Sequence, residues 1–190
     1  MYPHPLALID GLWILFLVVW LLAAIQTKRE ARRVAGLSRV VQMVLVVAGS
    51  ILMFDPDVSL GFLGFRFLPD VAALAYLGVA LTAGGIAFAI WARFVLGQNW
   101  SSQVTLKQGH ELIRRGPYAL VRHPIYSGML LGLGGTAISV GELRGLIALA
   151  LFVVSWWLKA RGEERLMTEQ FGEQYRSYRR EVKAVIPFVL

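Results

Sequence analysis

The chain has 190 residues, of which 57% are hydrophobic and only 16% charged, with 19 Lys and Arg against 12 Asp and Glu and no cysteine. Charges this sparse and this clustered argue against a soluble domain, and the lack of cysteine excludes disulfides and thiol chemistry. A net charge of +7 raises nucleic acid as a partner, but the placement of the cations points to a membrane instead.

In chain order, Leu6 to Ile25 is apolar apart from Asp10, and its 20 residues match a membrane span. Pro3 and Pro5 stand where a helix start tolerates them. No basic n-region or A-x-A site marks a signal peptide, so the run reads as a retained helix. Gln26 to Arg39 carries five cations, Lys28, Arg29, Arg32, Arg33 and Arg39. Val40 to Phe54 reads as a second span, stopped by Asp55-Pro56-Asp57. Ser59 to Pro69, with Phe62, Phe65 and Phe67, suits a membrane surface. Val71 to Ala92 is a third span of 22 uncharged residues, with Gly84-Gly85 in its middle for close packing.

The stretch Lys107 to Tyr126, KQGHELIRRGPYALVRHPIY, is the longest polar interval between apolar runs. Gly116-Pro117 and His123-Pro124 fix its backbone at two places. Ile125 to Val140 is a fourth apolar run, and Gly128, Gly132 and Thr136 give it one small face. Gly141 to Gly145 interrupts it, and Gly145 to Leu158 is the fifth. These two runs are short, which predicts a tight helical hairpin with snorkelling ends. From Glu163-Glu164 a helix-like run passes through Leu166, Met167, Phe171, Tyr175 and Tyr178 at three- and four-residue spacing, an amphipathic pattern. Lys159 and Glu163 stand one helical turn apart where the fifth run ends.

The expected fold is therefore an all-α integral membrane protein of about five transmembrane helices, the last two a tight hairpin. The cations fall as five in the first loop, five from Arg93 to Arg122 and seven from Lys159 onward, against Arg66 and Arg144 alone on the other side. The positive-inside rule then places the N-terminus outside and the C-terminus in the cytoplasm, in the inner membrane if the cell is bacterial. The cations orient the chain in lipid, and nucleic acid is not an expected partner.

GHELIRRGPYALVRHPIYSGMLL, followed by EERLMTEQFGEQYRSYRREV and Pro187, resembles the isoprenylcysteine carboxyl methyltransferases and is similar to their relatives among the phospholipid N-methyltransferases. The resemblance runs from about Gln98 to the end. It implies one membrane domain, residues 1–97 supplying three helices and 98–190 a catalytic region in which the polar loop and the C-terminal amphipathic helix form the cofactor site. It further implies S-adenosylmethionine as cofactor and a lipophilic or lipid-modified acceptor reached from membrane lipid. The family's cofactor contacts would fall on Gln103, on His110, Glu111, Leu112 and Ile113, on Tyr118, on His123, Pro124, Ile125 and Tyr126, and on Glu163, the partner of the cofactor's amino group. The position four before Glu163 is an arginine that contacts the substrate carboxyl in prenylcysteine-specific members. Here it is Lys159, and Arg161 follows two residues later. Leu112, Tyr118 and Tyr126 would line an adenine slot.

Three function classes stay open on these residues. They are isoprenylcysteine-like O-methylation or phospholipid N-methylation, a nicotinamide-dependent membrane reductase of similar C-terminal fold, and a non-catalytic assembly protein. No metal is expected, because the His, Asp and Glu residues show no recognised ligand spacing.

Overall fold

The computed structural model describes residues 4–24, 30–33, 37–97, 100, 105–107 and 112–186. Five apolar helices come in order: α1 (Pro5–Ala24), α2 (Leu37–Phe54), α3 (Ala72–Leu96), α4 (Pro124–Val140) and α5 (Leu143–Phe171), followed by the short α6 (Glu173–Glu181). Helices α1, α3 and α5 are long and apolar enough to cross a membrane, while α2, taken from Arg39, and α4 are shorter apolar helices. With 17 residues, α4 is about 26 Å long, just under a ~30 Å hydrocarbon core. The 29 residues of α5 make it about 44 Å long, so its C-terminal third stands clear of such a core.

Helices α3 and α4 approach at backbone distance because glycines face glycines. A Cβ on Gly128 would lie 2.6 Å from the Gly85 carbonyl oxygen and 2.7 Å from the Ala89 nitrogen. Two turns on, a Cβ on Gly135 would lie 2.6 Å from the Thr82 nitrogen. The small face expected on α4 is thus the contact face, and of the pair in α3 it is Gly85 that meets it; Gly84 faces open space. The contact also satisfies polar groups in an apolar setting. Thr82 donates to the Gly132 carbonyl at 3.0 Å, and Trp13 of α1 donates its indole N–H to Thr136 at 3.0 Å. Phe16 on α1 packs with Ile86 and Ala89 on α3, so α1 lies along the outside of the pair.

Helix α5 packs mainly along α2, where Gly49 admits the Phe152 ring and Ser155 donates to the Gln42 carbonyl at 3.3 Å. The connection from α4 is Gly141 and Glu142, with Gly141 in the left-handed region at φ 68°. The break is shorter than the expected Gly141–Gly145, because α5 starts at Leu143. The snorkelling ends are a correction. Arg144 is buried at 6% exposure and donates to the carbonyls of Leu52 (3.1 Å) and Asp55 (3.0 Å), capping the end of α2. Glu142 neutralises it at 2.7 Å and also accepts from Ser59 at 2.8 Å. A charge this deep is held by carbonyls left over at a neighbouring helix end, which no local pattern announces.

Two further departures lie at the other end of the molecule. The expected tail helix is broken at Gly172 (φ 54°), so α5 and α6 are separate. A two-stranded antiparallel ribbon pairs β1 (Glu30–Arg33) with β2 (Thr105–Lys107), joining the first polar loop to the central one.

The glycine faces generate a paired prediction. Gly128→Val should destabilise the protein by roughly 1–3 kcal/mol through overpacking, read as a lower melting temperature in detergent. Gly84→Ala, with open space around it, should be neutral or mildly stabilising, by about 0.5–1 kcal/mol at most. Equal effects of the two would show that the α3–α4 approach is not the determinant.

Candidate active site

The polar loop re-enters described structure at Leu112 and turns at Gly116–Ala119. Gly116 has φ 60°, and a Cβ there would touch Val95 at 3.4 Å, so the turn sits on the last residues of α3. Pro117 supplies the first turn position, and its carbonyl accepts from the N–H groups of Leu120 (3.1 Å) and Val121 (3.2 Å). Tyr118 is buried at 7% exposure. His123 then caps α4 and Pro124 opens it, where a missing N–H costs nothing. The N–H groups of Arg122 and His123 both donate at 2.8 Å to the C-terminal segment, at the carbonyls of Lys183 and Ala184. Ser127 donates to the Val185 carbonyl at 2.6 Å.

Against this turn lies the free-standing part of α5. Tyr126 donates its hydroxyl to Glu163 Oε1 at 2.7 Å. His123 meets Glu163 with Nδ1 at 3.5 Å and Glu164 with Nε2 at 3.3 Å. Glu164 also accepts from Arg122 Nε at 2.8 Å and Nη2 at 2.5 Å, and pairs with Arg179 of α6 at 3.4 Å. Arg122 Nη1 donates to the Val182 carbonyl. The rings of His123, Tyr126 and Trp156 form a column, the first pair 14° and the second 8° from parallel. Glu163 is the more open of the two carboxylates, its side chain 27% exposed against 16% for Glu164. Lys159 reaches Glu163 only at 4.0 Å, and its Nζ stands 5.6 Å from the Tyr126 ring centre.

Of the residues singled out in the sequence, Tyr118, His123, Pro124, Ile125, Tyr126, Lys159 and Glu163 come together at this end. Ile113 packs against the same core, and Leu112 is half-buried beside it in the chain. Gln103, His110 and Glu111 lie outside the described residues. Arg161 is placed elsewhere, exposed, with its guanidinium 4.3 Å from the Trp157 ring centre. Two residues before Glu163 on the continuous helix α5, it stands about 200° around the axis from that carboxylate. Sequence reasoning passed over Arg122, Glu164 and Trp156. The adjacent Glu163-Glu164 pair was the available signal, since two consecutive carboxylates leaving a membrane helix both need partners.

The charges fix protonation. Burial favours the neutral form of His123, but its hydrogen bonds to Glu163 and Glu164 outweigh burial and raise its pKa. Both ring nitrogens face carboxylates, which only the imidazolium can satisfy as a double donor. Burial, and then the charge of Glu163, push the Tyr118 phenol far above its ordinary range, keeping it neutral. For a histidine raised in the folded state, the stabilisation is complete below the unfolded pKa of about 6.5 and is lost as pH rises through the folded value. The melting temperature in detergent should therefore hold up to about pH 6.5 and decline on the alkaline side. His123→Gln should flatten that decline; an unchanged alkaline profile would show that His123 does not carry the charge.

With this geometry in hand, the likeness to known proteins is informative. The family profile described as phospholipid methyltransferase matches residues 73–174, more than half of the chain. A probable protein-S-isoprenylcysteine O-methyltransferase of Oryza sativa subsp. indica is 26% identical over 161 residues, covering 83% of each chain. Protein-S-isoprenylcysteine O-methyltransferase B of Arabidopsis thaliana is 33% identical over 90 residues, 46% of this chain and 45% of that one. A solved structure of the eukaryotic intramembrane Ras methyltransferase ICMT superposes with a TM-score of 0.54 at 25% identity, covering 80% of this chain and 52% of that one. The match to the family profile includes α3, both proline turns, α4, and the whole of α5 with Lys159, Glu163 and Glu164. The chain therefore belongs to the phospholipid methyltransferase family, in the group that includes the isoprenylcysteine carboxyl methyltransferases, and is a membrane methyltransferase.

Proposed function

We propose that this enzyme uses S-adenosylmethionine to methylate the carboxylate of a lipophilic, membrane-embedded acceptor, with an S-prenylated cysteine as the acceptor class that its relatives' names suggest. The observation that carries the reading is the pair Glu163 and Lys159, one turn apart on α5 where it leaves the apolar layer, with Glu163 anchored by Tyr126 and His123. The donor set suits this cofactor. The partly open Glu163 carboxylate is a partner for an ammonium group through a charge-assisted hydrogen bond, and Leu112 and Tyr118 would line an apolar slot for adenine. When bound, S-adenosylmethionine supplies a methyl group already activated by a sulfonium.

A carboxylate acceptor is ionised at neutral pH and needs no general base. The residues of this chain therefore have to bind, orient and exclude water. His123 and Tyr126 hold Glu163 in one rotamer, and Lys159 offers the acceptor carboxylate a cation. Gln103 and His110 to Ile113 complete the cofactor side in this reading, and residues 1–190 act as one membrane domain. A second reading, N-methylation of a phospholipid amine, follows from the family's description. Lys159 weighs against it, because a nearby cation opposes a basic acceptor. The likeness to methyltransferases replaces the reductase expectation. The five apolar helices would each cross the bilayer, with the N-terminus outside and the C-terminus in the cytoplasm.

Binding of S-adenosylmethionine, compared with NADPH by calorimetry on detergent-solubilised protein, tests the cofactor. Glu163→Gln should weaken cofactor binding by about ten- to a hundredfold, the worth of a charge-assisted hydrogen bond of roughly 1.5–3 kcal/mol. Lys159→Met should leave cofactor affinity nearly intact and slow transfer to an acidic acceptor; neutral or faster turnover would favour the amine reading. Equal losses of cofactor affinity in both single variants, restored in the double, would reveal a structural ion pair and remove Glu163 from the site. A reporter after Leu190 should report the cytoplasm and one near Asp57 the opposite side; the same compartment for both would overturn the topology.

A further inference from the structure

The C-terminal segment exchanges hydrogen bonds with the proline turns in both directions. Where the turn could continue as a helix, the Arg122 N–H would donate to the Tyr118 carbonyl four residues back. It donates instead to the Lys183 carbonyl, and the Val121 N–H donates to Pro117. The Tyr118 carbonyl, which neither of these two backbone N–H groups reaches, accepts in a buried hydrogen bond from the hydroxyl of Tyr178 on α6 at 2.5 Å. Tyr178 is 2% exposed. Its ring lies 5.1 Å from the Arg114 guanidinium, and Arg114 pairs with Glu181 at 2.5 Å, so both ends of the polar segment 114–122 are tied to the tail. A buried carbonyl must find a donor, and this one finds it sixty residues away.

We infer that Tyr178 is a positioning residue of the cofactor site: its hydroxyl holds the backbone of the Gly116–Ala119 turn, and so the Tyr118 ring, in the orientation that cofactor binding requires. It acts through Tyr118 and touches no ligand itself. Burial pushes the Tyr178 hydroxyl up to about 12, so it remains a donor at physiological pH. The inference rests on the reading that Tyr118 belongs to the cofactor site. It gives α6 a role beyond anchoring.

The test compares Tyr178→Phe with Tyr175→Phe, a neighbouring buried tyrosine on α6. Of the two, it is the Tyr178 hydroxyl that bonds Tyr118. Each variant is measured well below its melting transition for S-adenosylmethionine Kd by calorimetry, and for cofactor KM and kcat with N-acetyl-S-farnesylcysteine as the methyl acceptor. Tyr178→Phe should raise Kd and cofactor KM about tenfold, the equivalent of ~1.4 kcal/mol, with kcat at saturating cofactor within about twofold of the parent. Tyr175→Phe should match the parent in all three. Parent-like Kd and KM in Tyr178→Phe, with Glu163→Gln weakened, would overturn the positioning role and leave the site reading standing. Lower kcat at unchanged KM, or an equal rise in KM for Tyr175→Phe, would also overturn it, the latter by showing a general weakening of α6. If neither Glu163→Gln nor Tyr178→Phe alters cofactor affinity, the site reading and the inference fall together.

Discussion

His123 is gripped at both ring nitrogens by consecutive residues of one helix, Glu163 and Glu164. Neighbouring helical side chains diverge by about 100°, so a single ring meets both only when it lies across the helix between them. That requirement fixes α5 in rotation as well as in height against the start of α4. Once it is met, Tyr126, one turn along α4, falls within reach of Glu163, and Arg122, one residue before, falls within reach of Glu164. The two carboxylates then face different surroundings. Glu164 is enclosed by two arginines and a histidine, while Glu163 keeps an open side.

The grip works only because α4 begins at a defined level. Its level is set in the apolar layer, where Gly128 and Gly135 lock against α3 with no side chain between the backbones. Helix α3 in turn carries the Gly116 turn on its final residues. The two proline turns are therefore mounted on one rigid pair of helices. Helix α5 comes to that pair from α2, its principal partner. The site lies where two helix pairs meet, and the C-terminal segment closes the junction by running beside residues 121–127.

Much of this was legible because it is local. Apolar run length marked the first four helices to within about four residues, and the start of the fifth, but not its extension from Leu158 to Phe171. Four-residue spacing marked the face of Gly128, Gly132 and Thr136, and i,i+4 spacing placed Lys159 beside Glu163. Proline and glycine marked both turns. What remained hidden depends on partners distant in the chain. Arg144 reads as an interfacial charge in a short polar break, and only the fold brings it to the open carbonyls of α2. Arg122 reads as one more orienting cation until Glu164 is seen against it. Gly172 sits in an unbroken amphipathic rhythm, and periodicity is blind to a left-handed residue that redirects the axis without changing the pattern. Tyr178 has the spacing of a packing residue, and its hydroxyl matters because another segment has taken the N–H that its acceptor would otherwise use.

The capping of α2 by Arg144 has a consequence for biogenesis. The donor that completes α2 arrives ninety-two residues after Leu52 in the chain. A ribosome delivering this protein to the membrane releases α2 long before α5 exists, and until then the carbonyls at its end must be satisfied by water or headgroups. The buried guanidinium has the mirror-image problem, since it is stable in place only beside those carbonyls and Glu142. Each therefore favours the late seating of α5 against an α2 that is already inserted, so assembly is ordered from the N-terminal helices to the C-terminal ones. The helix that brings Glu163 to the site is the one whose arrival finishes the scaffold.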